Sequence, residues 1–249
     1  MNQTAWLARP RPDPTARLRL VCFPPAGGND AMFRTWPPSL PAEVEVCSIL
    51  LPGRDARRRE PTIPRVTPLV KAIADGLAGE LTGPFALFGH STGALVAFEL
   101  ARELRRRGQP GPVLLVAAGR PAPSCPVRDP MHALPSSQLT ERLRRLGGTP
   151  EAVLREPDLM AMFLPIVRAD LEVNEVEPYR SEPPLACPIV AYGGAMDERC
   201  RRDELVAWGE HTSGGFSYEL FPGGHFFVRT GARELHASLG QALRRVVAP

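Results

Sequence analysis

The pentapeptide Gly89-His90-Ser91-Thr92-Gly93 constrains this chain more than any other stretch. Ahead of it, Phe85-Ala86-Leu87-Phe88 is a short apolar run of the kind that forms a buried strand. Behind it, Ala94-Leu95-Val96-Ala97-Phe98-Glu99-Leu100-Ala101 reads as a helix. Passing from buried strand to helix within one tight turn strains the central residue, and the positions two residues away have no room for a side chain. Glycine on both flanks of G-x-S-x-G meets that demand. The turn lifts the Ser91 hydroxyl clear of the sheet, and the helix N-terminus sets N–H groups and partial positive charge beneath it.

The remaining chain supplies a framework for such a turn. Strand patterns fall at residues 17–23, 44–50, 113–118, 188–192 and 216–220. Thr67 and Pro68 open a helix in which Leu69, Ile73, Leu77 and Leu81 recur every four residues. The helix after Ser91 finishes on Arg105-Arg106-Arg107-Gly108, cations at the C-terminal dipole and a glycine stop. A last helix places Leu235, Leu239, Leu243 and Val246 on one face. Residues 1–16, rich in proline and arginine, read as an irregular arm. From about 121 to 184 strand patterns give way to helical ones at 137–146, 150–154 and 158–174, the last with an apolar face of Leu159, Met160, Met162, Phe163, Ile166 and Val167. Alternating strands and helices predict an α/β protein with a mostly parallel central sheet flanked by helices. With the serine turn at the end of a strand, this is the pattern of the α/β-hydrolase fold. The expectation is a single domain over residues 1–249 carrying a helical lid insertion at approximately 121–184.

Composition excludes several classes. No run of about 18 apolar residues exists, so no transmembrane helix is expected, and the N-terminus lacks the basic-then-apolar form of a signal peptide. The five cysteines are odd in number and lack metal spacing, and at least two lie in strand-like runs. Reduced, mostly buried thiols and a cytoplasmic setting are therefore expected. A net charge of +3 is too small to indicate nucleic acid. Lys71 is the only lysine among 30 basic residues, so the surface is rich in guanidinium groups suited to carboxylate and phosphate partners.

A serine hydroxyl is a weak nucleophile that needs a base, and the base needs an orienting carboxylate. In this fold the order along the chain is serine, acid, histidine. Asp197 follows Tyr192 through Gly193-Gly194-Ala195-Met196, and His225 follows Phe221-Pro222-Gly223-Gly224, so both emerge at strand ends on the rim where Ser91 emerges. Glu198 and Asp203 are the rival acids. His90, which flanks the serine, is the rival histidine, while His132, His211 and His236 follow no strand through a glycine turn. Two N–H donors must face the developing oxyanion. Thr92 supplies one, and the other comes from the Pro24–Gly28 turn, where prolines 24 and 25 cannot donate and the choice is Ala26, placed first, or Gly27.

Cys22-Phe23-Pro24-Pro25-Ala26-Gly27-Gly28, Leu51-Pro52-Gly53-Arg54, Gly89–Gly93, Gly147-Gly148-Thr149-Pro150, Leu164-Pro165-Ile166-Val167-Arg168-Ala169-Asp170 with Glu177 and Tyr179, and Gly223-Gly224-His225-Phe226 form a set of motifs. Together they resemble the type II thioesterases, the stand-alone editing enzymes of modular polyketide and nonribosomal peptide synthases. The resemblance spans nearly the whole chain. It implies hydrolysis of acyl groups, short and misprimed or stalled, from the phosphopantetheine arm of acyl or peptidyl carrier proteins, with the triad on Ser91, Asp197 and His225. Pro25 departs from the family pattern, which more often has an aromatic residue or histidine there, and Thr92 stands where methionine is frequent. In keeping with that substrate, Met160, Phe163 and Ile166 of the apolar stripe are candidates for an acyl pocket, with core packing weighted equally. Arg54, Arg57, Arg58 and Arg59 are candidates for docking an acidic carrier. No metal or organic cofactor is expected, no nucleic acid or membrane partner, and a monomer. The methionine start and short arm favour a stand-alone enzyme over the rival chain-releasing thioesterase domain. A general carboxylesterase and a non-catalytic binding module on the same scaffold also compete for this pattern.

Overall fold

The computed structural model describes residues 6–247. Among these, seven strands form one sheet in the order β1-β3-β2-β4-β5-β6-β7, with only β1 antiparallel to its neighbour. The strands are β1 (Leu7–Ala8), β2 (Leu18–Phe23), β3 (Val44–Ile49), β4 (Phe85–His90), β5 (Leu114–Ala118), β6 (Ile189–Gly194) and β7 (Phe216–Phe221). All residues of β3, β4 and β5 are buried, as expected of parallel strands covered on both faces. Alternate side chains enter opposite cores: Val21 and Phe23 of β2 face one, Leu18, Leu20 and Cys22 the other.

The first core is roofed by α1 (Val66–Gly76) and α2 (Thr92–Arg106). The second is closed by α8 (Ala232–Val247) through Leu235, Leu239 and Leu243, with Phe33, Trp36 and Phe88 in edge-to-face contact beside it. Between β5 and β6 the chain forms α3 (Ser136–Leu146), α4 (Glu151–Leu154) and α5 (Pro157–Glu175). These helices share a small third core of Leu139, Leu143, Leu154, Met160, Leu164 and Val167, and α5 packs on α2. Two short helices, α6 (Arg202–Val206) and α7 (Phe227–Thr230), flank β7.

Two expectations need correction. The arm is not wholly irregular: its first five residues lie outside the described range, but Leu7 and Ala8 pair with Ile49 and Ser48, and Leu50 N–H donates to Trp6 O at 2.8 Å. The exposed edge of β3 offered unpaired backbone groups, and the arm covers them. The helix begun near Thr67 ends at Gly76, so Leu77 caps it and Leu81 lies beyond it. A Cβ on Gly76 would collide with the Trp6 indole, so the arm and the end of α1 share that space.

Candidate active site

Ser91 occupies the turn between β4 and α2 with φ of 54°, a left-handed conformation that a non-glycine residue adopts only under constraint. The constraint is visible on both sides. A Cβ on Gly89 would strike Gly93 O, and one on Gly93 would strike Phe23 O, so the elbow is wedged between its own helix and β2. Ser91 N–H is anchored to Ala118 O at 2.8 Å.

Close backbone approach also joins the ends of β6 and β7. Ala195 N–H donates to Phe221 O at 2.8 Å and Met196 N–H to Gly223 O at 2.9 Å, while a Cβ on Gly194 would strike Gly224 O. Asp197 and His225 are thereby brought together. His225 Nδ1–H donates to Asp197 Oδ2 at 2.9 Å, and its Nε2 accepts from the Ser91 hydroxyl at 3.0 Å. The second oxygen of Asp197 accepts the Arg199 N–H at 2.9 Å. The carboxylate of Asp197 is completely buried. Glu198 lines the adjacent cleft and Asp203 is exposed on α6, so neither touches the imidazole.

His90 serves from below. Its Nε2–H donates to His225 O at 2.9 Å and fixes the loop that carries His225. Burial, reinforced by the nearby His225, pulls the His90 imidazole down to about 3, so it remains neutral. The other histidines are engaged elsewhere: His132 with Glu175, His211 with Ser124 and Tyr179, and His236 against Trp36.

The turn after β2 leaves one donor over. Gly27 N–H donates to Asp170 Oδ2 and Gly28 N–H to Pro25 O, each at 2.8 Å. Among the described residues Ala26 N–H donates to no protein acceptor. Of the two donors the sequence left open, Ala26 is therefore the available one. Thr92 is the first residue of α2, where an N–H has no carbonyl partner within its own helix.

Two groups of expected site residues are placed otherwise. Arg54 and Arg57 are not on a docking surface. Arg54 is buried and makes a two-pronged ion pair with Asp170, both bonds at 2.7 Å. Arg57 is buried against Trp6, its guanidinium 3.6 Å from the ring centroid, and pairs with Glu60. Only Arg58 and Arg59 of that run are exposed. A cleft of about 60 Å³ opens beside Ser91 and His225, and none of Met160, Phe163 and Ile166 reaches its wall. Met160 is spent in the third core, and the Phe163 ring with Val167 fills the space over Gly27. Leu159 and Met162 of the same helix are exposed, at 47% and 73%.

The cleft wall contains residues that the sequence did not single out. Arg120 and Asn174 line it, joined by a 2.9 Å hydrogen bond from Arg120 Nε to Asn174 Oδ1. Burial pulls the Arg120 guanidinium down to about 10, and no carboxylate among the described residues pairs with it. Asp170 closes the Leu164–Asp170 motif and its buried partner Arg54 closes the Leu51–Arg54 motif, so the pairing of two motif ends is the signal in the sequence.

Fold and site together define a serine hydrolase of the α/β-hydrolase class. Residues 18–241 match the model of the thioesterase domain family, and the chain belongs to that family; it is a thioester hydrolase. It is 40% identical to the gramicidin S biosynthesis protein GrsT of Aneurinibacillus migulanus, over 98% of this chain and 96% of that one. It is 37% identical to the thioesterase PikA5 of Streptomyces venezuelae, over 90% and 80% of the two chains. Among solved structures, RedJ, a thioesterase from the prodiginine biosynthetic pathway of Streptomyces coelicolor, superposes with a TM-score of 0.87 at 40% identity, covering 94% of this chain and 91% of that one. YbtT, a type II thioesterase from the yersiniabactin NRPS/PKS pathway, superposes with a TM-score of 0.88 at 28% identity, over 98% and 100%.

Proposed function

We propose that this enzyme removes short acyl groups from the phosphopantetheine arm of carrier proteins, an editing role in nonribosomal peptide or polyketide assembly. The observation that carries the reading is the Ser91–His225–Asp197 chain of hydrogen bonds opening on the cleft walled by Arg120 and Asn174.

The chemistry runs through side chains and backbone alone. Ser91 Oγ attacks the thioester carbonyl as His225 Nε2 takes its proton, and Asp197 holds the ring with Nδ1 protonated and stabilises the imidazolium. The oxyanion forms toward Ala26 N–H and Thr92 N–H. Its collapse breaks the C–S bond, and His225 returns the proton to the departing thiol. Water, giving a proton to His225, then attacks the Ser91 ester; the bond from the acyl carbon to Ser91 Oγ breaks, His225 returns the proton to Oγ, and the acid leaves. The stretch from about 121 to 184 serves as the lid above this site. Arg58 and Arg59 remain the docking candidates for an acidic carrier once Arg54 and Arg57 are committed internally. The five cysteines are all unpaired thiols, which supports a reducing, cytoplasmic setting, and the proposed working form is a monomer.

The test compares a carrier protein loaded with propionyl or octanoyl groups, followed by intact-protein mass spectrometry, with the same acyl groups on a simple oxygen ester. Propionyl carrier is expected to be unloaded fastest. Rapid ester cleavage with an untouched carrier would replace this reading by that of a general carboxylesterase.

A further inference from the structure

The turn that carries Ala26 is held by a device with no obvious need to be ionic. Gly27, at φ of 69°, donates its N–H to Asp170 Oδ2 at 2.8 Å. The same carboxylate receives both Nη atoms of Arg54 at 2.7 Å, and Arg54 Nη1 also donates to Gly28 O at 2.9 Å. Four hydrogen bonds thus join the loop after β2, the loop after β3, and α5. A buried ion pair gives little net stability compared with apolar residues of the same size. This one even leaves Arg54 Nε buried without a partner, which costs free energy. What an apolar pair could not do is accept the Gly27 N–H and donate to Gly28 O. Those two bonds pin the peptide plane next to Ala26 N–H and withdraw the competing Gly27 donor.

We propose that Arg54 and Asp170 are positioning residues of the oxyanion hole: the buried pair fixes the 24–28 turn so that Ala26 N–H aims where Thr92 N–H aims, and α5 thereby completes the catalytic apparatus. This rests on the reading of Ser91 and Ala26 given above. Because Phe163 and Val167 of the same helix fill the space over Gly27, α5 supports the turn by packing as well as by charge.

The test uses the full chain, a carrier-free propionyl thioester of a pantetheine-like thiol, and a short-chain trifluoromethyl ketone that adds Ser91 to form an oxyanion-like hemiketal. Asp170→Asn is the decisive variant. All three groups facing the carboxylate are donors, so either orientation of the amide sets an NH2 against one of them. Per active site, kcat is expected to fall by about 10–100-fold, part of the roughly 10²–10³-fold effect of losing an oxyanion donor, with KM within twofold. The ketone Ki should rise by the same factor by which kcat/KM falls. Arg54→Lys should recover part of what Arg54→Ala loses. Ki is a property of the folded fraction, so simple misfolding does not move it. Unchanged Ki and kcat per active site in Asp170→Asn would overturn the proposal, as would a loss only in the number of active sites. If Asp170→Ala does not fold, Asp170→Asn and Arg54→Lys decide by the same criteria. Failure of the wild-type enzyme to unload a carrier would strike the function reading alone, since the Ki comparison requires only a reactive Ser91.

Discussion

At the tip of β7 one imidazole links a strained serine hydroxyl to a carboxylate that water does not reach. The carboxylate's task is to hold the tautomer, so replacing Asp197 by asparagine should leave the fold intact and lower kcat by about 10⁴-fold, read in steady-state hydrolysis of a small acyl thioester. A fall of less than tenfold would mean that Asp197 does not orient His225. These three residues were legible in the sequence because each follows a strand through a turn built from glycines, which marks the position regardless of tertiary contacts. Arg54 and Arg57 were not legible. An arginine run looks the same whether it is solvated or, as here, folded inward onto Asp170, Glu60 and Trp6. The partners that decide between these are remote in sequence.

At the scale of elements, the elbow depends on backbone meeting backbone. Gly93→Ala would drive a Cβ into Phe23 O and Pro24 O, atoms of β2 and its turn that cannot rotate away. A destabilisation of about 3 kcal/mol or more is expected in urea unfolding, whereas Gly83→Ala, with open space around it, should change stability by no more than about 1 kcal/mol. Equal effects at the two positions would contradict the wedged geometry. Strands and helices were readable where apolar runs or four-residue spacing persist, as in β2 to β5, α2 and α8. The two-residue β1 carries no periodicity and exists because β3 had an edge to cover. The apolar stripe of α5 showed that a surface would be buried without showing against what; it packs on Gly27 and the third core, and the cleft is walled by Arg120 and Asn174.

For the whole molecule, buried histidines set a pH limit. His90 is held down to about 3 by burial and by His225, against an ordinary value near 6.5, and burial also lowers His211 and His236. A histidine whose folded pKa lies below its unfolded value binds a proton more readily when unfolded. The contribution of these histidines is therefore full above pH 6.5 and is lost as the pH falls from there toward 3. Urea unfolding from pH 7 to pH 4 should show the decline, and His90→Gln should flatten it; identical slopes would mean that His90 is not kept neutral.

The most direct measurement mixes the enzyme with propionyl-loaded carrier protein, quenches it within milliseconds to seconds, and maps the acyl group by peptide mass spectrometry. Propionyl should appear transiently on the peptide containing Ser91 as the carrier loses it, and Ser91→Ala should show neither the adduct nor the loss. Unloading of the carrier by Ser91→Ala at the wild-type rate would contradict acyl transfer through this serine.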